Sequence, residues 1–195
     1  MERKNLIVII VALVVVATLV ITVGISYYNE IQREAFDSDL KNAYEIFETT
    51  NDIVQNVTDT QDFSNDGIKK SKTKLQSVKE QNTKAIEYLK DALTRTNDDS
   101  EKKIVELMIS NHELYEKEID STISALDTMM QYNEGKISAS QALSKTNNLY
   151  SSYNKTNDLI RKNLAEISKI LEDNPDFEKR IKSLGIDIYY LKGNN

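Results

Sequence analysis

Hydrophobic and polar positions along this chain alternate at helical spacing almost throughout, except in one continuous apolar segment near the start. Residues 6–28 read LIVIIVALVVVATLVITVGISYY and contain no charged side chain. As a helix, a run of this length rises roughly 30 Å, which matches the hydrocarbon core of a bilayer. We therefore predict a transmembrane signal anchor over residues 6–28, behind a short leader of residues 1–5.

The charges that flank this segment predict its orientation. Arg3 and Lys4 stand before the run, whereas acidic residues predominate after it. The positive-inside rule then places the leader in the cytoplasm and the bulk of the chain outside the cell membrane. Tyr27 and Tyr28 fall where aromatic side chains prefer the headgroup boundary, so these four residues are the predicted membrane-interface positions.

Two features of the apolar run have alternative interpretations. Gly24 and Ser26 are spaced like a weak signal-peptidase site, so cleavage is the alternative to a retained anchor, although the run exceeds a usual signal-peptide core. Thr18, Thr22 and Ser26 share one stripe at four-residue intervals. Small residues in such a stripe let a second membrane helix approach closely, and the alternative is that the hydroxyls bond to their own backbone.

Four amphipathic helices follow, with apolar residues every three or four positions. They are predicted over residues 29–58, 68–96, 98–135 and 138–174. Matched lengths and short connections predict an antiparallel four-helix bundle over residues 29–174, entered directly from the membrane helix. The expected fold class is therefore all-α.

Capping residues support these boundaries. Asp98 with Glu101, and Ser138 with Gln141, each match a capping box at the start of a helix. The final segment, residues 175–195, begins with a proline that suits the first turn of a short helix. After this helix, the apolar stretch of residues 186–191 is predicted to be either a brief strand or an apolar flap.

Polar residues interrupt the apolar stripes at Asn82, Asn111, Thr146 and Asn157. Buried amides in helical bundles often specify the register of packing. Alternatively, they line a small polar ligand site between helices. The two alternatives distinguish a bundle that is packed throughout from one that contains a polar cavity.

Composition narrows the range of partners and chemistry. The formal net charge is −6, which does not suit nucleic acid or an anionic surface, and the chain has no cysteine. Thiolate nucleophiles, zinc knuckles and disulfides are therefore excluded, and we predict no cofactor. The single histidine, His112, is predicted to lie on the surface beside a carboxylate.

No catalytic constellation is recognisable in the sequence. The carboxylates near the histidine are expected on solvated helix faces, without apolar surroundings that would shift a pKa; they are Glu113, Glu116, Glu118 and Asp120. No glycine-rich loop is available to bind phosphate. We therefore predict that the protein is not an enzyme.

The segment Asp62-x-Ser64-x-Asp66-Gly67 matches the first half of an EF-hand calcium loop. The twelfth position is Thr73 instead of a bidentate glutamate, and several lysines crowd the expected ligand positions. The segment is therefore predicted to be a turn between helices with an Asx cap, and no metal site is predicted.

Two Asn-x-Thr sequons, at Asn56 and Asn154, are compatible with glycosylation outside the cell. Asn56 lies near a predicted helix end, where a sugar would fit more easily than at Asn154 in the middle of a helix.

The layout, one membrane helix that feeds directly into a helical bundle, resembles the extracytoplasmic four-helix sensor domains of chemoreceptors and histidine kinases. Those sensors return through a second membrane helix, whereas the last apolar run here has only six residues. By this resemblance, a sensor of this kind would signal through the helix of a partner.

The length and layout are also similar to those of LemA-like proteins, and residues 28–31 and 52–57 are similar to parts of their first helix. The arginine pair and the proline that mark that family are absent here, so no residue role is carried over.

From the sequence we expect a membrane-anchored interaction or structural module with a protein partner or self-association, and the alternative is a ligand-binding sensor domain.

Overall fold

The computed structural model describes the backbone of residues 3–59 and 62–192, and the side chains of residues 18, 22, 24–57, 62–188, 190 and 191. The described chain is helical, without strands in these ranges. Its helices are α1 (Arg3–Asp59), α2 (Asn65–Arg95), α3 (Asp99–Asn133), α4 (Ala139–Asp173), α5 (Pro175–Ser183) and α6 (Ile188–Lys192).

The boundaries follow the local capping chemistry. Ser64 caps α2 by accepting a hydrogen bond from the backbone N–H of Gly67. Ser138 and Gln141 form the predicted reciprocal capping box at the start of α4. Gly135, just beyond α3, adopts φ +69°. Glycine reaches this conformation without steric cost because it has no Cβ. Local sequence therefore sets where these helices begin and end.

One predicted capping box is only half formed. Asp98 caps α3 and accepts hydrogen bonds from the N–H groups of Ser100 and Glu101. The Glu101 carboxylate does not reach back to the cap, because it accepts from the Thr96 hydroxyl at 2.5 Å and pairs with Arg180 at 2.9 Å. The prediction was wrong for the side chain of Glu101, since a tertiary contact competes with the local one.

The four long helices run antiparallel and pack in chain order, α1 on α2, α2 on α3 and α3 on α4. At one end of the bundle, Arg95 of α2 pairs with Asp39 of α1 at 2.7 Å. At the other end, the Asn133 side chain of α3 donates to the Phe63 carbonyl oxygen before α2. The direction of the chain therefore alternates from one helix to the next, as in the predicted up-and-down bundle.

Among the described residues, α1 and α4 do not pack closely on each other. Instead, α5 and α6 lie between them at the Arg95 end of the bundle. The Phe177 ring of α5 lies 6.2 Å from that of Phe36 on α1, and the Tyr190 ring of α6 lies 5.2 Å from that of Tyr44 on α1. The C-terminal segment, for which the sequence predicts a strand or a flap, is thus a one-turn helix that fills part of this seam.

The main hydrophobic core surrounds this inserted segment. Its largest fully buried side chains come from every helix; they include Phe36, Leu40, Leu89, Ile104, Ile167, Leu171, Ile181 and Leu191. Full burial of each such side chain contributes about 1.5–3 kcal/mol. A smaller cluster at the opposite end contains Val57, Leu75, Val78 and Ile119.

A cluster of charged side chains lies beside α5 at the Arg95 end of the bundle. The Arg180 guanidinium pairs with Asp37 at 3.0 Å as well as with Glu101, and it stacks 5.2 Å and 4.8 Å from the ring centroids of Phe36 and Phe177. Burial raises the pKa of the Asp37 carboxyl, and the opposing effect of Arg180 is the smaller one. The guanidinium therefore joins α1, α3 and α5 at one point.

Among the residues with described side chains, no helix is long and apolar enough to cross a membrane. Most of the predicted span, residues 6–28, lies outside those residues. From Gly24 to Glu30 every side chain of α1 is exposed, and the bundle core begins at Phe36.

Candidate functional site

A cavity of about 280 Å³ lies at mid-height of the bundle, on the open side between α1 and α4. The side chain of Tyr153, on α4, lines it and is 39% exposed, so the cavity communicates with solvent there. Its lining comes from α1, α3, α4 and α6: Phe47, Asn51, Met108, Asn111, His112, Tyr115, Glu118, Tyr153, Asn157, Ile160, Leu164, Ile167, Tyr190 and Leu191. The volume is just below the usual range of small-molecule sites, about 300–1,000 Å³.

His112 lies on the floor of this cavity and is only 3% exposed, so the prediction of a surface histidine was wrong. The side-chain amide of Asn82 donates to the His112 carbonyl oxygen at 3.0 Å and to Glu116 Oε1 at 3.2 Å. Both partners accept, which fixes the orientation of the amide. Asn82 Oδ1 is then the acceptor 2.6 Å from His112 Nδ1, so Nδ1 carries the proton.

This tautomer determines the other face of the ring. With Nδ1 protonated, Nε2 of neutral His112 is an acceptor, and the hydroxyl of Tyr190 donates to it over 2.7 Å. Burial lowers the pKa of His112 to about 4, which keeps the ring neutral at physiological pH. The chain Asn82–His112–Tyr190 therefore links α2, α3 and α6 through fully directed hydrogen bonds.

Aromatic rings cover one side of the cavity. The Phe47 ring centroid lies 4.4 Å from that of Tyr190, and 6.1 Å from those of both Tyr115 and His112. Tyr153 adds a further ring from α4. This side of the cavity therefore presents several π faces contributed by separate helices.

Tyr115 and Glu118, three residues apart on α3, bring two unsatisfied polar atoms to the cavity. The Tyr115 hydroxyl and Glu118 Oε1 are both inaccessible to solvent, and neither has a hydrogen-bond partner among the described residues. Burial raises the pKa of Glu118 to about 7. Burial also raises the pKa of the Tyr115 hydroxyl to about 12, and the nearby charge of Glu118 adds a smaller increase. The prediction that the carboxylates lie on solvated faces was therefore wrong for Glu118.

The polar positions that interrupt the stripes have different outcomes. Asn111 and Asn157 line the cavity, and Asn82 supports its floor through His112. Asn111 Oδ1 also accepts from the Asn163 amide at 2.8 Å, which ties α3 to α4. Thr146 is exposed and donates to the Ala142 carbonyl of its own helix, so it has no part in the site.

The segment that resembles half of a calcium loop is an Asx turn. The backbone N–H of Ser64 donates to Asp62 Oδ1 at 3.1 Å, and α2 begins one residue later. Asp62 also approaches Gly67 so closely that a Cβ there would meet its carboxyl group and its backbone oxygen. No group of three or more potential metal-ligating side chains forms within the described parts of the chain.

The predicted membrane-interface and stripe residues lie away from the cavity. Tyr27 and Tyr28 are 66% and 61% exposed, whereas the side chains of Arg3 and Lys4 lie outside the described residues. In the stripe Thr18, Thr22 and Ser26, all three are exposed. The Thr22 hydroxyl donates to the Thr18 carbonyl oxygen at 2.8 Å, the backbone bonding that was the alternative to a helix contact.

Both sequon asparagines are exposed on helices. Asn56 is still inside α1, and its amide donates to the Asp52 carbonyl oxygen at 2.8 Å. Asn154 lies in the middle of α4, as predicted. Their glycosylation stays a prediction.

Several site residues gave little signal in the sequence. Tyr190 belongs to a segment that could not be placed, and Phe47 and Tyr115 looked like ordinary positions in apolar stripes. Their meeting depends on the return of α6 toward α1. Chemically, the arrangement offers aromatic faces, one carboxyl group and amides, which suits binding of a small molecule.

Comparisons of the chain with protein-family models, with curated proteins and with solved structures find no match.

Proposed function

We propose that this chain is a membrane-anchored helical domain that binds a small molecule in the α1–α3–α4 cavity, outside the cell. The observation that carries the proposal is a solvent-connected cavity that is lined by aromatic rings, side-chain amides and the Glu118 carboxyl group. Concave, mostly apolar spaces with a few converging polar groups are typical of small-molecule sites. A bundle whose only role is structural would be expected to pack this space with apolar side chains.

The anchor is supported by the sequence. The uncharged run of residues 6–28, with Arg3 and Lys4 before it, fits a single span with a cytoplasmic N-terminus. The protein should remain in membranes after alkaline carbonate extraction, and protease added outside should digest the bundle. Release of the protein by carbonate would contradict a retained anchor.

The cavity also gives ligand binding a route to the membrane. Phe47 and Asn51 line it from α1, and this helix is continuous from Arg3 to Asp59. Occupancy would therefore act on the helix that enters the predicted span. Any resulting signal would pass to the membrane helix of a partner, as the resemblance to sensor domains implies.

The test is a thermal-shift screen of the full chain in lipid nanodiscs. The ligands are amino acids, organic acids, sugars, amines and divalent ions. A ligand at ten times its Kd stabilises the native state by about 1.4 kcal/mol, which raises Tm by about 3–6 °C for a chain of this size.

Two tryptophan variants make the screen specific for the cavity. Ile160→Trp fills the cavity from α4 and should abolish the shift without loss of helicity, whereas Leu143→Trp places the same ring on an exposed part of α4 and should retain it. No shift from any ligand, or a shift that survives Ile160→Trp, would overturn the proposal.

A protein-interaction role is the second candidate, and one observation favours it. Leu143 and Tyr150, seven residues apart on one face of α4, are 63% and 65% exposed. A photo-crosslinker placed at Leu143 should then capture a protein neighbour in the native membrane, whereas one at the exposed Glu113 should not. Absence of a specific crosslink would leave ligand binding as the only candidate.

A further inference from the structure

The charges that line the cavity are of one sign only. Glu118 is the sole acidic residue in the lining, and no lysine or arginine of the described chain lines it. His112 does not supply a positive charge, because both of its ring nitrogens are engaged in the neutral form. An anionic ligand would therefore meet a carboxylate and no compensating cation.

The aromatic rings that line the same cavity as Glu118 also favour a cation. Phe47, Tyr115, Tyr153 and Tyr190 come from four helices and line one cavity with Glu118. Aromatic faces attract cations through the quadrupole of the ring, and several rings around one carboxylate form a site for alkylated ammonium groups. Part of the remaining wall is aliphatic and suits apolar substituents; this part consists of Ile160, Leu164, Ile167 and Leu191.

We propose that the ligand of this cavity is a small organic ammonium ion, with its nitrogen between the Glu118 carboxylate and the aromatic rings. This inference rests on the proposed function, because it names the ligand class for the same site. The volume of about 280 Å³ limits the ligand to a compact amine, below the size of a typical drug.

The electrostatics of Glu118 agree with this assignment. Burial raises its pKa to about 7, and no Lys or Arg of the described residues lines the cavity beside it. The other titratable side chains of the lining are His112 on α3, which burial keeps neutral, and tyrosines on α3, α4 and α6, so none of them supplies a positive charge; the tyrosines are Tyr115, Tyr153 and Tyr190. A bound ammonium ion would supply the missing partner, and its affinity should rise as the pH increases through about 7.

The experiment compares cations with neutral molecules of the same shape. Choline is titrated into the full chain in nanodiscs at about pH 8, beside the alcohol in which a tert-butyl group replaces the trimethylammonium group. Isopentylamine is titrated beside isopentanol in the same way. Each cation should bind about tenfold or more tightly than its neutral counterpart, since a desolvated charge pair forms only with the cation.

Three variants locate the effect. Glu118→Gln should remove the preference for the cation, whereas Glu113→Gln, which removes the same charge from an exposed position on the same helix, should leave it unchanged. Tyr153→Leu removes one ring at the open side and should weaken binding of choline more than that of its neutral counterpart.

The outcomes separate this inference from the proposed function. Tighter binding of the cation that depends on Glu118 supports the inference. Neutral or anionic ligands that bind at least as tightly, and that Ile160→Trp blocks, overturn the ammonium class and leave the ligand-binding function intact. If neither these probes nor any ligand of the thermal-shift screen binds, both proposals fall.

Discussion

Acidification should destabilise the bundle through His112 once the opposing effect of Glu118 is removed. The hydrogen-bond directions leave Nδ1 of His112 as a donor to Asn82 and Nε2 as an acceptor from Tyr190. A second proton on the ring would reverse the Tyr190 hydrogen bond, with the hydroxyl as acceptor, and would bury a charge in a group that is 3% exposed. Folding therefore holds the histidine in its neutral form.

The size of the effect follows from the two pKa values of His112. Burial lowers the value from 6.5 to about 4 in the folded state. Between these values the unfolded chain binds more protons than the folded chain, so the free energy of unfolding falls as the pH drops through this window. At about pH 5 the loss is about 2 kcal/mol relative to pH values well above 6.5.

Glu118 works in the opposite direction over nearly the same window. Its pKa is raised from 4.5 to about 7, so the folded state disfavours the carboxylate and stability is lost as the pH rises from about 4.5 to 7. The side chain is partly solvated, which makes its contribution smaller than the shift alone would imply. The two effects partly cancel in the wild type, and Glu118→Gln exposes the effect of His112.

Chemical denaturation followed by circular dichroism at about pH 7.5 and pH 5 measures the difference. In the Glu118→Gln variant we expect a loss of about 2 kcal/mol on acidification, and in Glu113→Gln a smaller loss, as in the wild type. His112 is the only histidine in the chain, so its ring resonances in an NMR titration report the folded-state pKa directly. The reasoning would be refuted if the free energy of unfolding of Glu118→Gln were the same at about pH 5 as at about pH 7.5. A histidine that titrates near 6.5 in the folded protein would refute it as well.

Two further predictions concern the frame around the cavity. Arg180→Ala removes the guanidinium that pairs with two partly buried carboxylates and should cost about 1–3 kcal/mol of unfolding free energy, whereas Ala at the exposed neighbour Lys179 should change it little. An Arg180→Ala melt near that of the wild type would show that α5 is held by its apolar contacts alone. Gly67→Ala should lower stability by about 1–3 kcal/mol, although alanine usually favours a helix, because its Cβ would collide with Asp62. An unchanged or higher Tm for Gly67→Ala would mean that this close approach does not exist in solution.

The four long helices could be predicted from the sequence because the residues that set their inward faces and their ends are close together in the chain. The apolar spacing in residues 29–174 sets the inward faces, and the cap at Ser138 and the left-handed Gly135 lie within a few residues of the boundaries that they set. The antiparallel order follows from short connections between helices of similar length. Local sequence predicted the cap at Asp98 but not the position of the Glu101 side chain. The Glu101 carboxylate pairs with Arg180, which belongs to a distant part of the chain.

The environment of the site was not readable in this way. His112 and Glu118 stand among charged residues in the sequence, and nothing local distinguishes them from the exposed Glu113. Their burial results from the seam between α1 and α4, which α5 and α6 fill only in part, so that a cavity remains above Tyr190. Periodicity tells which face of a helix is apolar, whereas the position of the last short helices against that face is a tertiary choice. The sequence alone therefore determined the all-helical bundle, and only the packing of its C-terminal segment decided where polar groups are desolvated and where a ligand can enter.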